Sequence, residues 1–290
     1  MKKIGFLGLG VMGLPMALNV LKKSGYPVLG FDVAQARLDQ FAAAGGETTS
    51  DPVDIYKTCD VIMQMLPTHP IIINSIKQAV QYGKPGNIIL DLDSTAPDII
   101  QELYPEVEAA GMHLLDSPVS GGNPMAIAGT LAIMTGGDKA VFEEVKPLLE
   151  CMGHPVYTGG SASGSITKLV NNMVAGAYLS AIAEGYAFAA KAGIDLQTTF
   201  DATRCGFAGG PLYDNKVPKI IHRDYEPGAR IAVHLKDIHN AKHFAHKLGV
   251  DTPVTDVTMQ IMEWMGDNGY IDYALLKTSD GFGVKSRTDT

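Results

Sequence analysis

Hydrophobic residues in the first half of the chain come in short runs that alternate with helical spacing. A run at residues 3–7 breaks at Gly8, Gly10 and Gly13, and residues 14–21 then repeat with a helical period, which reads as strand, glycine turn, helix. A second strand is expected at 26–31, followed by a helix through Phe41. Further strands are expected at 60–66, closed by Pro67, and at 86–92, closed by Asp93, Ser94 and Thr95. Strand-like runs at 113–115 and 130–135 flank the segment Asp116-Ser-Pro-Val-Ser-Gly-Gly122. A helix at 139–151 and a short strand near Val156 and Tyr157 complete the alternation. Such alternation predicts a mostly parallel α/β sheet.

The pattern changes after Gly159-Gly160, where a hinge is expected. Residues 163–192 run without a proline and are rich in Ala, Leu and Met, so they predict one long helix spanning about 45 Å. Ser161, Ser163 and Ser165 offer N-cap oxygens, and Gly193 supplies the permissive backbone that ends helices. Because the helix is apolar nearly all round, it is expected to be buried along most of its circumference and to join two domains. Only helical segments follow, at 196–203, 212–221, 235–248 and 254–266, with a shorter one at 270–276, marked off by Pro211, Pro218, Pro227 and Pro253. The expected architecture is a mostly parallel α/β domain at 1–160 and an all-α domain at 161–290, joined by the long helix.

Composition narrows the partners. The 290 residues carry a formal net charge of −8 with no basic run, which argues against a nucleic-acid surface. Three scattered cysteines make no disulfide framework, and no targeting segment opens the chain, so a reducing cytoplasm is expected. The long helix is a poor membrane span because Glu184, Ser180 and many Ala and Gly residues interrupt it. His234, His239, His243 and His246 crowd one helical segment, but no glutamate accompanies the His239/His243 pair and a lysine stands between them, so no metal is expected.

The candidate chemistry begins at Gly8-x-Gly10-x-x-Gly13, where Gly8, Leu9, Gly10, Val11, Met12 and Gly13 form a loop able to turn tightly and lay N–H groups against a pyrophosphate. Asp32 ends the second strand 19 residues after Gly13, the place for a carboxylate that binds adenosine ribose hydroxyls; a 2′-phosphate there meets like charge, so NAD is favoured over NADP. Leu66, Pro67, Ser94 and Thr95 lie at or just beyond strand ends and are candidates to line the nicotinamide half. Ser120, Gly121 and Gly122 offer a hydroxyl and backbone N–H groups to a carboxylate. Lys168 and Asn172 stand four apart on one face of the long helix, with Asn171 beside them. An ammonium buried there is costly unless it has work to do.

Gly8-Leu-Gly10-Val-Met-Gly13-Leu-Pro-Met-Ala17, Asp116-Ser-Pro-Val-Ser-Gly-Gly122, residues 159–172 and Lys236-Asp237 together resemble the 3-hydroxyisobutyrate dehydrogenase, or β-hydroxyacid dehydrogenase, family over essentially the whole chain. The resemblance implies a Rossmann-type N-terminal domain, a helical C-terminal domain and NAD(P)-dependent interconversion of a small 3-hydroxy acid with its aldehyde or ketone. It implies Lys168 and Asn172 as catalytic residues, Ser120, Gly121 and Gly122 as the loop for the substrate carboxylate, and Thr95 and Lys236 as cofactor or substrate contacts. It also implies a homodimer or homotetramer. Ser117 stands where the family usually has alanine, and Ala162 replaces one glycine of the run before the lysine. The rival readings are an imine reductase on the same fold, a non-catalytic NAD sensor, and a metal-dependent alcohol dehydrogenase.

Overall fold

The structure, a computed structural model, describes residues 2–226 and 230–271; the expected helix at 270–276 and Pro227 fall wholly or largely outside them. The chain divides into two compact units, Met1–Lys168 and Leu169–Thr290.

The first unit is built on β1 (Ile4–Leu7), β2 (Val28–Phe31), β3 (Glu47–Thr48), β4 (Val61–Gln64), β5 (Ile88–Asp91) and β6 (His113–Asp116), followed by β7 (Val119–Ser120), β8 (Leu131–Gly136) and β9 (Gly153–Gly159). They form one sheet in the order β3-β2-β1-β4-β5-β6-β8-β7, with β9 also paired to β8. The pairs from β3 through to β6 are parallel, whereas β8 runs antiparallel to β6 and β7. This is the doubly wound order that reverses direction beside β1 and opens a ligand crevice at the strands' carboxyl ends.

Successive side chains point to opposite faces, so each parallel strand feeds two cores. Ile4, Phe6, Val61, Met63, Ile88 and Leu90 join α1 (Gly13–Lys23), α2 (Gln35–Ala43) and α7 (Lys139–Glu150) on one face. Leu7, Ile62, Ile89 and Leu114 join α3 (Pro52–Thr58), α4 (His69–Tyr82) and α5 (Pro97–Ala109) on the other. The hydrophobic pattern assigned no element to α3, α4 or α5. α3 is a single short helix capped by Asp51, α4 opens on His69-Pro70 and three consecutive isoleucines, and α5 carries Pro105 inside. All three are weak local signals that packing on the sheet overrides. A further short helix, α6 (Gly122–Ala128), follows the glycine pair after β7.

α8 (Ser163–Lys191) is one continuous helix of 29 residues, about 43 Å long. The division between the units falls within it. Its N-terminus is gripped differently from the serine caps expected: the carboxylate of Asp116, at the end of β6, accepts from the backbone N–H of Ala162 and of Ser165. Nor is α8 buried along most of its circumference. Val170, Val174 and Phe188 are exposed, so much of its apolar surface is uncovered by the single chain. By length and composition it is the one helix among the described residues able to cross a membrane.

The second unit is helical throughout its described residues. The remainder of α8 packs with α9 (Leu196–Thr203), α10 (Pro211–Ile221), α11 (Ile231–Leu248) and α12 (Pro253–Asp267). Their core is Leu179, Ile182 and Tyr186 from α8 with Phe200, Tyr213, Val217, Ile238, Met262 and Met265. The hydroxyls of Tyr186, Tyr213 and Thr203 form a chain within it.

Candidate active site

The three glycines after β1 have three different environments. Gly8 has φ +89°, and a Cβ there would lie 2.2 Å from the carbonyl oxygen of Met65. A Cβ on Gly13 would lie 1.9 Å from the carbonyl oxygen of Gly8, so α1 can approach its strand only without a side chain at that position. At Gly10 an added Cβ meets nothing within 4 Å. The backbone there faces open space, and the first turn of α1 has neither a side-chain cap nor an acidic residue to occupy its N–H groups. The loop therefore fits a pyrophosphate: one glycine for the turn, one for close approach, one for packing.

Of the other loop residues, Leu9 buries its side chain in the core, Val11 is exposed and Met12 is half-buried. Asp32 holds the loop from the end of β2. Its Oδ2 accepts from the N–H of Leu9 at 2.7 Å and its Oδ1 from the N–H of Ala34 at 2.8 Å. Each oxygen keeps lone-pair capacity for a ribose hydroxyl.

The same device recurs at β5, three strands along the sheet from β2. Asp93, just beyond β5, accepts from the N–H of Leu66 at 2.7 Å and so fixes the turn carrying Leu66 and the exposed Pro67. Thr95 is buried and Ser94 half-buried beside it. The in-register partners Gln64, Asp91 and Asp116 lie side by side on adjacent strands. By strand parity all three point to the face of the sheet that carries Ile62, Ile89 and Leu114. Gln64 donates to Asp91 at 3.0 Å. Burial pushes the Asp91 carboxyl up, against the polar neighbours Gln64, Thr95 and Asp93. Burial also pushes Asp116 up, to about 6, opposed by the N–H groups of Ser165 and Ala162.

Ser120 ends β7, half-buried, and Gly121 and Gly122 are exposed at the start of α6 with φ of +137° and +67°. Lys168, the last residue of the first unit, is only 9% exposed. In the second unit Asn172 is buried, and its amide is held from both ends. Its Nδ2 donates to Asp237 Oδ2 at 2.8 Å, and its Oδ1 accepts from Asn171 Nδ2 at 3.0 Å. Lys236, with a side chain 40% exposed, places its Nζ 3.4 Å from Asp237 Oδ1. In α11, His239 lies 3.3 Å from Glu263. No group of three or more His, Cys, Asp or Glu able to hold a metal occurs among the described residues.

Sequence reasoning passed over Asp93, Asp116 and Asp237 as site residues, although each stands inside a motif it singled out. The signal was present: a carboxylate at a strand's carboxyl end, or next to a candidate lysine, has backbone N–H groups or amides to hold.

Residues 3–160 match the family described as the NAD binding domain of 6-phosphogluconate dehydrogenase. Residues 162–274 match the one described as NAD-binding of NADP-dependent 3-hydroxyisobutyrate dehydrogenase. The chain is 32% identical to 2-hydroxy-3-oxopropionate reductase of Escherichia coli, covering 92% of each chain. It is also 32% identical to 2-(hydroxymethyl)glutarate dehydrogenase of Eubacterium barkeri, covering 90% of this chain and 88% of that one. The solved structure of Mycobacterium tuberculosis 3-hydroxyisobutyrate dehydrogenase with L-serine superposes with a TM-score of 0.87 at 29% identity, covering 97% of this chain and 99% of that one. With a Rossmann sheet, a glycine loop shaped for a dinucleotide and both halves matched, the chain belongs to the 3-hydroxyisobutyrate dehydrogenase family of NAD(P)-binding oxidoreductases, which act on hydroxy acids.

Proposed function

We propose that the protein moves a hydride between NAD and a small 3-hydroxy acid, interconverting it with its semialdehyde or keto acid, with Lys168 as general acid and base. The observation that carries this reading is the burial of Lys168 near the start of α8, at 9% exposure. An amine so largely shielded from water, one turn before Asn172, is in the setting where a lysine can serve in proton transfer. Bound NAD supplies the hydride acceptor at its nicotinamide.

Lys168, in its neutral form, takes the hydroxyl proton during oxidation and returns it to the developing alkoxide during reduction. Asn172, one turn further on the same helix face, is pre-oriented by Asn171 and Asp237 to hydrogen-bond the substrate oxygen or the lysine. The hydroxyl of Ser120 and the N–H groups of Gly121 and Gly122 receive the substrate carboxylate. The acids in the names of the relatives, 2-hydroxy-3-oxopropionate, 2-(hydroxymethyl)glutarate and 3-hydroxyisobutyrate, have one feature in common, an oxygen on a carbon β to a carboxylate. That class is the one proposed here.

Asp32 supports NAD over NADP, because a 2′-phosphate brought to that carboxylate meets like charge. The test is a panel of 3-hydroxy acids with NAD and with NADP, followed by the absorbance of the reduced cofactor. Turnover restricted to acids bearing the hydroxyl β to the carboxylate, and faster with NAD, is the expected result. Turnover only with cyclic imines would overturn the reading in favour of an imine reductase. We also infer that chains associate through the exposed apolar stripe of α8 at Val170, Val174 and Phe188; a monomer by light scattering would contradict this.

A further inference from the structure

We propose that Asp116 is a positioning residue for the lysine of α8: its buried carboxylate, locked onto the first turn of the helix, fixes where the side chain of Lys168 stands. The inference rests on the reading of Lys168 as the proton-transfer group.

The geometry is a socket built around one carboxylate. Asp116 Oδ1 accepts from the N–H of Ala162 at 3.0 Å and Oδ2 from the N–H of Ser165 at 2.7 Å, so each oxygen holds one strand of the turn. Ala162 adopts φ +66°, a left-handed conformation that a β-carbon opposes, and it is wholly buried. That strained turn persists because the surroundings over-determine it.

Two glycines bring the elements together. A Cβ on Gly164 would lie 2.3 Å from the carbonyl oxygen of Asp116 and 2.4 Å from that of Met134. A Cβ on Gly136 would lie 2.6 Å from Asp116 Oδ1. Ser163 adds a hydroxyl contact to Thr158 at 2.9 Å, and Thr158 in turn donates to the carbonyl of Thr135 at 3.1 Å.

Lys168 follows Ser165 by three residues, one helical turn, so whatever moves the gripped N–H groups moves the lysine with them. An ordinary N-cap does not need this arrangement. A serine or threonine in place of Ala162, the residue just before α8, would satisfy the N–H of Ser165 without burying a charge. A carboxylate brings two acceptor oxygens on a short, stiff side chain anchored in the sheet, and therefore ties the helix to the strand ends that carry the candidate nicotinamide loops.

The charged and titratable groups facing it are few. Asp91 on the adjacent strand and the ring of Tyr104 on α5 lie close enough to sense its charge. On the remaining side is the positive end of α8. Below its midpoint, protonation puts a hydrogen on one of the two oxygens and releases one of the two N–H groups.

The experiment compares wild type, Asp116→Asn, Asp116→Glu and Lys168→Ala. Each is assayed for NADH binding by fluorescence and for kcat and KM across the pH range in which the protein stays folded. Asp116→Asn keeps the shape but turns an NH2 toward one of the two N–H groups. Its kcat is expected to fall by at least about tenfold, with KM and NADH affinity within about threefold of wild type, as for a small displacement of a reacting group. The acidic limb of the wild-type kcat profile should be missing in Asp116→Asn. Asp116→Glu, which restores the charge on a longer arm, should recover part of the loss. Asp116→Asn turning over within about threefold of wild type, with Lys168→Ala inactive, overturns this inference alone. Lys168→Ala that stays active overturns the reading it rests on.

Should Asp116→Asn not fold, the wild type decides by itself. The amide resonances of Ala162 and Ser165 must titrate together with the acidic limb of kcat, and a titration of those amides that leaves kcat unchanged refutes the coupling.

Discussion

Asn172 Nδ2 donates to Asp237 Oδ2 at 2.8 Å while Lys236 Nζ stands 3.4 Å from the other oxygen of the same carboxylate. One buried aspartate thus holds both the asparagine of α8 and the lysine of α11. The asparagine matters most, because its second end is tied to Asn171 and its amide plane is therefore fixed. The contact with Lys236, part-exposed and long, contributes little by itself. Replacing Asp237 by alanine removes an acceptor from a buried amide and is expected to destabilise the protein by about 1–3 kcal/mol. Denaturant unfolding measures this, and a change below about 0.5 kcal/mol would show the aspartate to be dispensable.

Glycines 10 and 13 should separate binding from folding. Gly13→Ala drives a methyl against the carbonyl of Gly8 at 1.9 Å and is expected to lose at least about 2 kcal/mol of stability. Gly10→Ala meets no protein atom within 4 Å and should leave the unfolding midpoint nearly unchanged. It should nevertheless weaken NAD binding by about tenfold or more, worth about 1.4 kcal/mol, because the added methyl occupies the space into which the pyrophosphate comes. Titration calorimetry and thermal melts on the two variants check both halves.

Asp32 is expected to do two things at once. Asp32→Ser should lower NAD affinity, since the N–H of Leu9 loses its 2.7 Å acceptor and the ribose loses a partner. It should also narrow the preference for NAD over NADP by about tenfold, the repulsion of a phosphate by one carboxylate at the surface being about 1–2 kcal/mol. Kd values for both cofactors give the ratio, and an unchanged ratio would remove Asp32 from cofactor selection.

The carboxyl of Asp116 is raised from 3.8 to about 6 by burial, which sets the sign of its effect on stability. Its folded-state value lies above its unfolded one, so folding favours the protonated form. Stability attributable to this group is full below the unfolded value, declines as pH rises through the window from 3.8 to about 6, and is lost above it. Lowering the pH from about 7 to about 5 should therefore stabilise wild type relative to Asp116→Asn by roughly 1–2 kcal/mol. Paired urea melts at the two pH values check this; a difference of opposite sign would mean that the carboxylate is held below its ordinary range.

Much of this was readable in the amino-acid order, and the reasons differ by element. The parallel strands are continuous apolar runs because both faces of the sheet are covered, which is why Ile4, Phe6, Val61 and Ile89 mark them plainly. Gly8, Gly10, Gly13 and Asp32 are legible because spacing alone carries their geometry. α3, α4 and α5 were not, since a seven-residue helix, an isoleucine triplet and an internal proline give little helical signal without the sheet beneath them. The cap of α8 was illegible for a different reason. Asp116 lies 49 residues before Ser165, and no local pattern reveals that a strand end and a helix start meet. The serines at 161, 163 and 165 looked like local caps, whereas tertiary structure supplied a stronger acceptor.

Proton transfer by Lys168 is tested most directly by Lys168→Ala. With a 3-hydroxy acid identified from the panel, turnover by the variant should fall far below a tenth of wild type, while NADH fluorescence shows the cofactor still bound. A variant that keeps more than about a tenth of wild-type kcat, a difference under about 1.4 kcal/mol in the barrier, would contradict it.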